Sequence, residues 1–253
     1  MKKVFILFLF ISLNISAQDK VLIPDGVAKL LKAYPEKIKG YDGTSIIMHN
    51  GETIDYNGSV GKSHTELVNG SNLGDIFFYD YPKGEVQDIE KNHDPGRIRS
   101  EELLKSMYGK TLSEVQQNLV TITWCPTLVN QKLRVTKING VDKQLQKISD
   151  ELDRYPELKK YLKSSGTFNW RKIRGTDRLS SHSFGTAIDI SVQWSNYWQW
   201  DCRCTDESID LKYKNQVPQL IVDIFEKYGF IWGGKWYHYD TMHFEYRPEL
   251  LID

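Results

Sequence analysis

Cysteine is scarce in this chain: Cys125, Cys202 and Cys204 are the only three among 253 residues. Three are too few for a disulfide-built scaffold, and the odd count leaves at least one thiol without an intramolecular partner. Net charge is missing as well. Lysine plus arginine total 33, and aspartate plus glutamate total 33. No bulk basic field is there to attract a polyanion, so generic nucleic-acid binding is disfavoured. Beyond the N-terminus no apolar run reaches membrane-spanning length, and neither an internal repeat nor a low-complexity tract interrupts the text. What is present, 40% hydrophobic and 26% charged residues, is the composition of a folded protein with one large core or two small ones. The surplus is aromatic. Of the 7 Trp, six lie at or beyond Trp170, and 14 Tyr accompany them.

The chain opens MKKVFILFLFISLNISAQDK. Two lysines, a short apolar run from Val4 to Leu13 and a polar stretch ending at Ala17 have the layout of a signal peptide cleaved after Ala17. No cysteine follows to take a lipid. The expected product is exported to the periplasm, cell envelope or medium with no stable membrane anchor. Removing residues 1–17 takes away two lysines and leaves 31 basic against 33 acidic residues, a formal charge of −2.

Pattern changes divide the remainder at Asn139-Gly140, giving a mixed α/β N-terminal region over 18–139 and an α+β domain over 140–253. In the first, a short helix is expected around Val27 to Leu31. Asn50-Gly51 is a hairpin signal inside SIIMHNGETIDY. SEELLKSMYG predicts a helix stopped by glycine. VTITW and LRVTKI predict two strands about the turn at Pro126. In the second, Val141, Leu145, Ile148 and Leu152 recur at helical spacing. Short helices are expected over Pro156 to Leu162 and from Pro218 to Gly229.

The chemistry is concentrated in two segments. In SSHSFGTAIDIS, a strand over Gly185 to Ser191 puts Gly185, Ala187, Asp189 and Ser191 on one face and Thr186, Ile188 and Ile190 on the other. His182, ahead of a glycine turn, is placed to fold back beside Asp189. In WYHYDTMHFEY, Thr241, His243 and Glu245 share the polar face. His182, Asp189 and His243 then form a three-ligand set that leaves one position of a tetrahedral zinc open, as catalytic and not structural zinc sites do. Asp240 falls in a turn just before the strand, where its carboxylate can serve as a proton-transfer base.

These residues resemble a known family. S-x-H-x-x-G-x-A-x-D, met by Ser180, His182, Gly185, Ala187 and Asp189, followed by D-x-x-H, met by Asp240 and His243, is similar to the zinc peptidases of the bacterial cell wall. That family comprises D-alanyl-D-alanine carboxypeptidases and dipeptidases and the L-alanyl-D-glutamate endopeptidases of endolysins and spores. The resemblance covers roughly residues 167–250. It implies a small central antiparallel sheet with flanking helices and one zinc per chain on His182, Asp189 and His243. It also implies Asp240 as catalytic base and peptidoglycan stem peptides as substrate. Aspartate at position 240 points to the endopeptidase branch and hydrolysis between L-Ala and D-Glu. A D-alanyl-D-alanine carboxypeptidase is the alternative, and a catalytically inactive zinc-bearing binding module is the alternative from another class. The family's upstream arginine corresponds to Arg171, with Arg174 as the alternate, and Ser180 falls on the substrate side.

Other residues carry weaker signals. His49, His64 and His93 are expected to be structural or exposed. His238 competes with His243 as a ligand on sequence alone, and Glu245 is either a partner orienting a ligand imidazole or half of an ordinary ion pair. Trp194 to Asp210 is expected to be a loop inserted between the two motif strands. The sequence leaves the disulfide state of the three cysteines open: in an oxidising compartment a bridge from Cys202 or Cys204 to Cys125 is one option, and a bond between Cys202 and Cys204 across one intervening residue is expected to be strained.

Overall fold

The structure is a computed structural model that describes residues 22–58 and 60–253. The segment expected to be a signal peptide lies outside the described residues. The N-terminal part begins with helix α1 (Asp25–Ala33) and a three-stranded antiparallel sheet, β1 (Ile38–Tyr41), β2 (Ser45–Met48) and β3 (Thr53–Asp55). The β2–β3 turn holds Asn50-Gly51, with Gly51 in the left-handed region at φ 89°, the conformation that makes this dipeptide a hairpin signal. Helix α2 (His64–Asn69) starts at a capping box of Ser63 and Glu66. Helix α3 (Glu101–Tyr108) is capped by the Ser100 hydroxyl and stops at Gly109, and α4 (Leu112–Gln116) follows. Strands β4 (Leu119–Trp124) and β5 (Gln131–Thr136) form a two-stranded antiparallel ribbon.

From Gly140 on, helix α5 (Val141–Leu152) buries Val141, Leu145, Ile148 and Leu152, the predicted stripe. The short helix expected from Pro156 is present as a 3₁₀ helix, Pro156–Tyr161. The remaining elements are β6 (Ser164–Gly166), β7 (Ala187–Ile190), α6 (Trp198–Cys202), α7 (Gln219–Lys227), β8 (Phe230–Trp232) and β9 (His243–Tyr246). Four of these strands make an antiparallel sheet in the order β6-β7-β9-β8, so the α+β class read from the sequence holds. One face of that sheet is apolar. Phe244 stacks on Phe225 of α7 at 3.9 Å between ring centroids, and Ile188 and Trp232 are fully buried beside it. A single hydrophobic cluster runs from Val27 on α1 through Trp124 and Leu145 to Tyr246, so the N-terminal elements and the four-stranded sheet are packed on shared side chains.

The cysteine expectation is corrected. Cys202 and Cys204 bond to each other, and Cys125 is buried and free. The left-handed backbone of Arg203, at φ 57°, turns the chain so that the two Cα atoms lie 5.2 Å apart, within ordinary disulfide reach. Cys125 sits behind β4, its amide donating to the Ser149 hydroxyl at 2.7 Å, and burial pushes its thiol up to about 12. The inserted 194–210 segment is thus a loop that contains a short helix, α6, closed by its own disulfide.

Candidate active site

Each motif side chain is aimed by a distinct local device. The turn carrying His182 is a 3₁₀ helix, Ser181–Phe184, capped by the Ser180 hydroxyl, which accepts the His182 amide at 3.3 Å. The turn exits through Gly185 at φ 68°, a left-handed position. A Cβ there would come within 2.8 Å of the Leu119 side chain and 3.0 Å of the Thr136 amide, so backbone conformation and space both require glycine. The Gly185 carbonyl in turn accepts the Thr136 amide of β5 at 3.0 Å. The turn folds His182 back over β7, where register places Asp189 directly opposite His243 of β9. Period two then puts Ala187, Asp189, His243 and Glu245 on the face away from α7.

Three potential metal-ligand atoms converge on that face. His182 Nε2 lies 3.1 Å from Asp189 Oδ1, His243 Nδ1 lies 3.0 Å from the same oxygen, and the two nitrogens are 3.3 Å apart. Tetrahedral zinc with bonds of 2.0–2.1 Å has ligands spaced about 3.3 Å apart, so the triangle fits that ion. The imidazoles are presented in the required tautomers. His182 Nδ1 donates to the Thr167 carbonyl at 2.6 Å, leaving Nε2 as the lone-pair nitrogen. His243 Nε2 faces Glu245 Oε2 at 3.2 Å, leaving Nδ1 toward Asp189. Glu245 is buried and held by Arg99 at 3.1 Å and Arg247 at 3.2 Å. Such outer contacts fix ring orientation and raise ligand basicity. Although burial opposes it, the contacts with Asp189 and Glu245 push His243 up to about 10, the sign of a pocket that favours positive charge. Despite burial, the two imidazoles hold the Asp189 carboxyl well below the usual carboxylate range.

Asp240 lies in the turn expected for it. Its amide donates to the Gly233 carbonyl at 3.0 Å, its own carbonyl accepts the His243 amide at 3.1 Å, and the chain on either side pairs with Tyr197 and Asn196. Its Oδ1 is fully buried without a hydrogen-bond partner. Burial and the Asp189 charge push its carboxyl up to about 7. A carboxylate with an unengaged oxygen and a raised proton affinity is suited to move a proton near neutral pH.

All four of these residues line one cleft of about 710 Å³, together with Ser180, Arg171 and Arg174. Ser180 is buried at the head of the His182 turn, whereas Arg171 and Arg174 are exposed on the cleft rim. The structure adds residues that the sequence reading missed. Arg97 and Arg99 line the same cleft from the N-terminal region, where no motif spacing betrays them, and Arg178, just ahead of the first motif, lines it too.

A second group of potential ligands, His64, Asp94 and His238, lies close together, yet its geometry differs. Asp94 Oδ2 meets His238 Nδ1 at 2.6 Å, Arg97 at 3.0 Å and His64 at 3.1 Å. His238 Nε2 is taken by the Glu207 carbonyl at 3.1 Å. One oxygen accepting from a guanidinium and from His238, with both His238 nitrogens engaged, is a hydrogen-bonded hub and no cation cradle. Its consequence is mechanical. Asp94 Oδ1 also accepts the His238 amide at 2.9 Å, and the Tyr237 amide donates to the His93 carbonyl at 2.9 Å. The N-terminal region thereby pins the turn that carries Asp240. Asp94→Ala leaves the buried His238 without its carboxylate and Arg97 with only Glu207, and is expected to lower unfolding free energy by on the order of 3–5 kcal/mol. Urea denaturation followed by tryptophan fluorescence measures this, and an unchanged midpoint would refute the hub.

Residues 174–246 match the family model described as D-alanyl-D-alanine carboxypeptidase. The matched span contains His182, Asp189, Asp240 and His243 and leaves out Arg171 and the whole N-terminal region. No curated protein and no solved structure matches the chain.

Proposed function

We propose that this chain, whose residues 174–246 match the D-alanyl-D-alanine carboxypeptidase model, is an exported zinc peptidase that hydrolyses peptidoglycan stem peptides at the L-Ala–D-Glu bond. The observation that carries the reading is the triangle of His182, Asp189 and His243 atoms at 3.0–3.3 Å with the unengaged Asp240 carboxylate in the same cleft. One zinc per chain, held by those three residues, supplies Lewis acidity toward the scissile carbonyl and toward water. Asp240 accepts the proton of the attacking water and returns it to the leaving amine nitrogen. Arg171, on the rim, steadies the substrate carbonyl, with Arg174 and Ser180 contacting the peptide beside it. Glu245 keeps His243 in its ligating tautomer. Export rests on the Lys2-Lys3 and Val4 to Leu13 pattern, and among the described residues no helix is long and apolar enough to cross a membrane.

A second reading, removal of the terminal D-Ala, is favoured by the description of the matching family. Mass spectrometry of purified muropeptides incubated with the zinc-loaded protein separates the two. The endopeptidase leaves L-Ala on the sugar and frees the rest of the stem, and the carboxypeptidase frees only alanine. If muropeptides of every stem length stay intact in the presence of a stoichiometrically zinc-loaded protein, the peptidase reading gives way to a zinc-bearing binding module.

A further inference from the structure

The cleft contains a half-buried cation that, among the described residues, has no ion-pair partner. Arg178 stands two residues before Ser180, and its carbonyl accepts the Ile173 amide at 2.8 Å, which fixes it at the head of the turn that carries His182. Its side chain reaches the N-terminal region, where Nη1 donates to the Arg97 carbonyl at 3.0 Å. Nε is buried and has no acceptor. Its neighbours are differently placed. Arg97 is engaged by Asp94 and Glu207, and Arg99 by Glu245. Among the described residues no carboxylate lies within ion-pair distance of Arg178. Burial together with the positive charges of Arg99 and Arg97 pushes its guanidinium down to about 9. By contrast, Arg171 and Arg174 are exposed, so water already satisfies and screens them.

A guanidinium drawn partly out of water, with a buried N–H left unpaired and no carboxylate in contact, is unfavourable in the free fold and is stabilised when an anion enters beside it. We propose that Arg178, backed by the field of Arg99, is the carboxylate-binding subsite of this cleft, and that the substrate is a peptide bearing a free carboxylate next to the scissile bond. This rests on the stem-peptide reading above. Both candidate bonds supply the anion: the free α-carboxylate of a γ-linked D-Glu, or the C-terminal carboxylate of D-Ala-D-Ala. A planar guanidinium fork suits either, because it grips both carboxylate oxygens at once.

The test measures binding without turnover, in zinc-loaded Asp240→Asn protein, by calorimetry with stem peptides. In one pair the second-residue α-carboxylate is free or amidated, and in the other the C-terminus is. Amidating the carboxylate that Arg178 holds is expected to weaken binding at least about tenfold, as befits a hydrogen bond between charged groups. Which pair shows the effect identifies the bond. Adding Arg178→Gln is expected to abolish the acid preference with zinc content unchanged, and Arg178→Lys to retain part of it. If neither amidation weakens binding, or if the preference survives Arg178→Gln in full, the proposal fails. Should the glutamine variant not fold, an undiminished preference in Arg178→Lys overturns it equally, since lysine keeps the charge and loses the fork. Acid-selective binding with no hydrolysis by the wild type would refute the peptidase reading and leave this subsite standing.

Discussion

Asp240→Asn is expected to lower kcat/KM on muropeptides by about 10²–10⁴-fold, the usual contribution of a positioned general acid–base group, and to leave one zinc per chain in place. The two halves have separate causes. The amide cannot accept a proton, so the transfer from water to the leaving nitrogen has no carrier. The atoms placed to hold the metal are those of His182, Asp189 and His243, and none belongs to residue 240. Stability is expected to move opposite to activity. Asp240 Oδ1 is buried without a donor, and the carboxylate is repelled by Asp189. Replacing it with a neutral group of the same shape therefore removes an unfavourable charge. The melting temperature should equal or exceed that of the wild type. Metal analysis, steady-state kinetics and calorimetric melting read the three quantities. Activity within a few-fold of wild type would remove Asp240 from the role of base.

His182→Ala is expected to abolish hydrolysis by a different route, loss of the metal. Two ligands would remain of three, and zinc retained after dialysis should fall from one per chain to less than about a tenth, because affinity depends steeply on ligand count and preorganisation. The substitution also leaves the Thr167 carbonyl without the imidazole donor at 2.6 Å, which costs about 1–3 kcal/mol if no water replaces it. Dialysis of the wild type against a chelator should reproduce the loss of activity, and added zinc should reverse it in the wild type but not in the variant. Full activity in a chelator-treated protein would refute the metallopeptidase mechanism, whatever the fate of the variant.

The two substitutions distinguish the parts of the cleft because their expected signatures differ in metal content and in stability. Asp240→Asn gives a loaded, stable and inactive protein, whereas His182→Ala gives an unloaded and inactive one.

Much of this arrangement was legible along the chain. The parity of Ala187 and Asp189 against Ile188 and Ile190 selects which side chains share a face, since a strand alternates strictly. Gly185 announced the turn, because a left-handed residue pressed against Leu119 and Thr136 can only be glycine. The Val141 to Leu152 stripe and the Asn50-Gly51 hairpin were read from local periodicity and turn chemistry in the same way. Local geometry is also where sequence reading erred. The left-handed turn at Arg203 that allows Cys202 to reach Cys204 leaves no compositional trace, and arginine is not a residue that advertises it.

By itself, then, the sequence determined the candidate ligand types, their faces and the turn that brings His182 over Asp189, because these depend on residues within a few positions of one another. The tertiary structure alone decided that His243 lies opposite Asp189, that Glu245 and not a solvent ion sits behind it, and that His238 belongs to Asp94. It also decided that arginines from the N-terminal region enter a cleft whose motifs lie 80 or more residues further on. Those contacts join residues far apart in the chain, and it is the shared apolar core, not any local pattern, that brings them together.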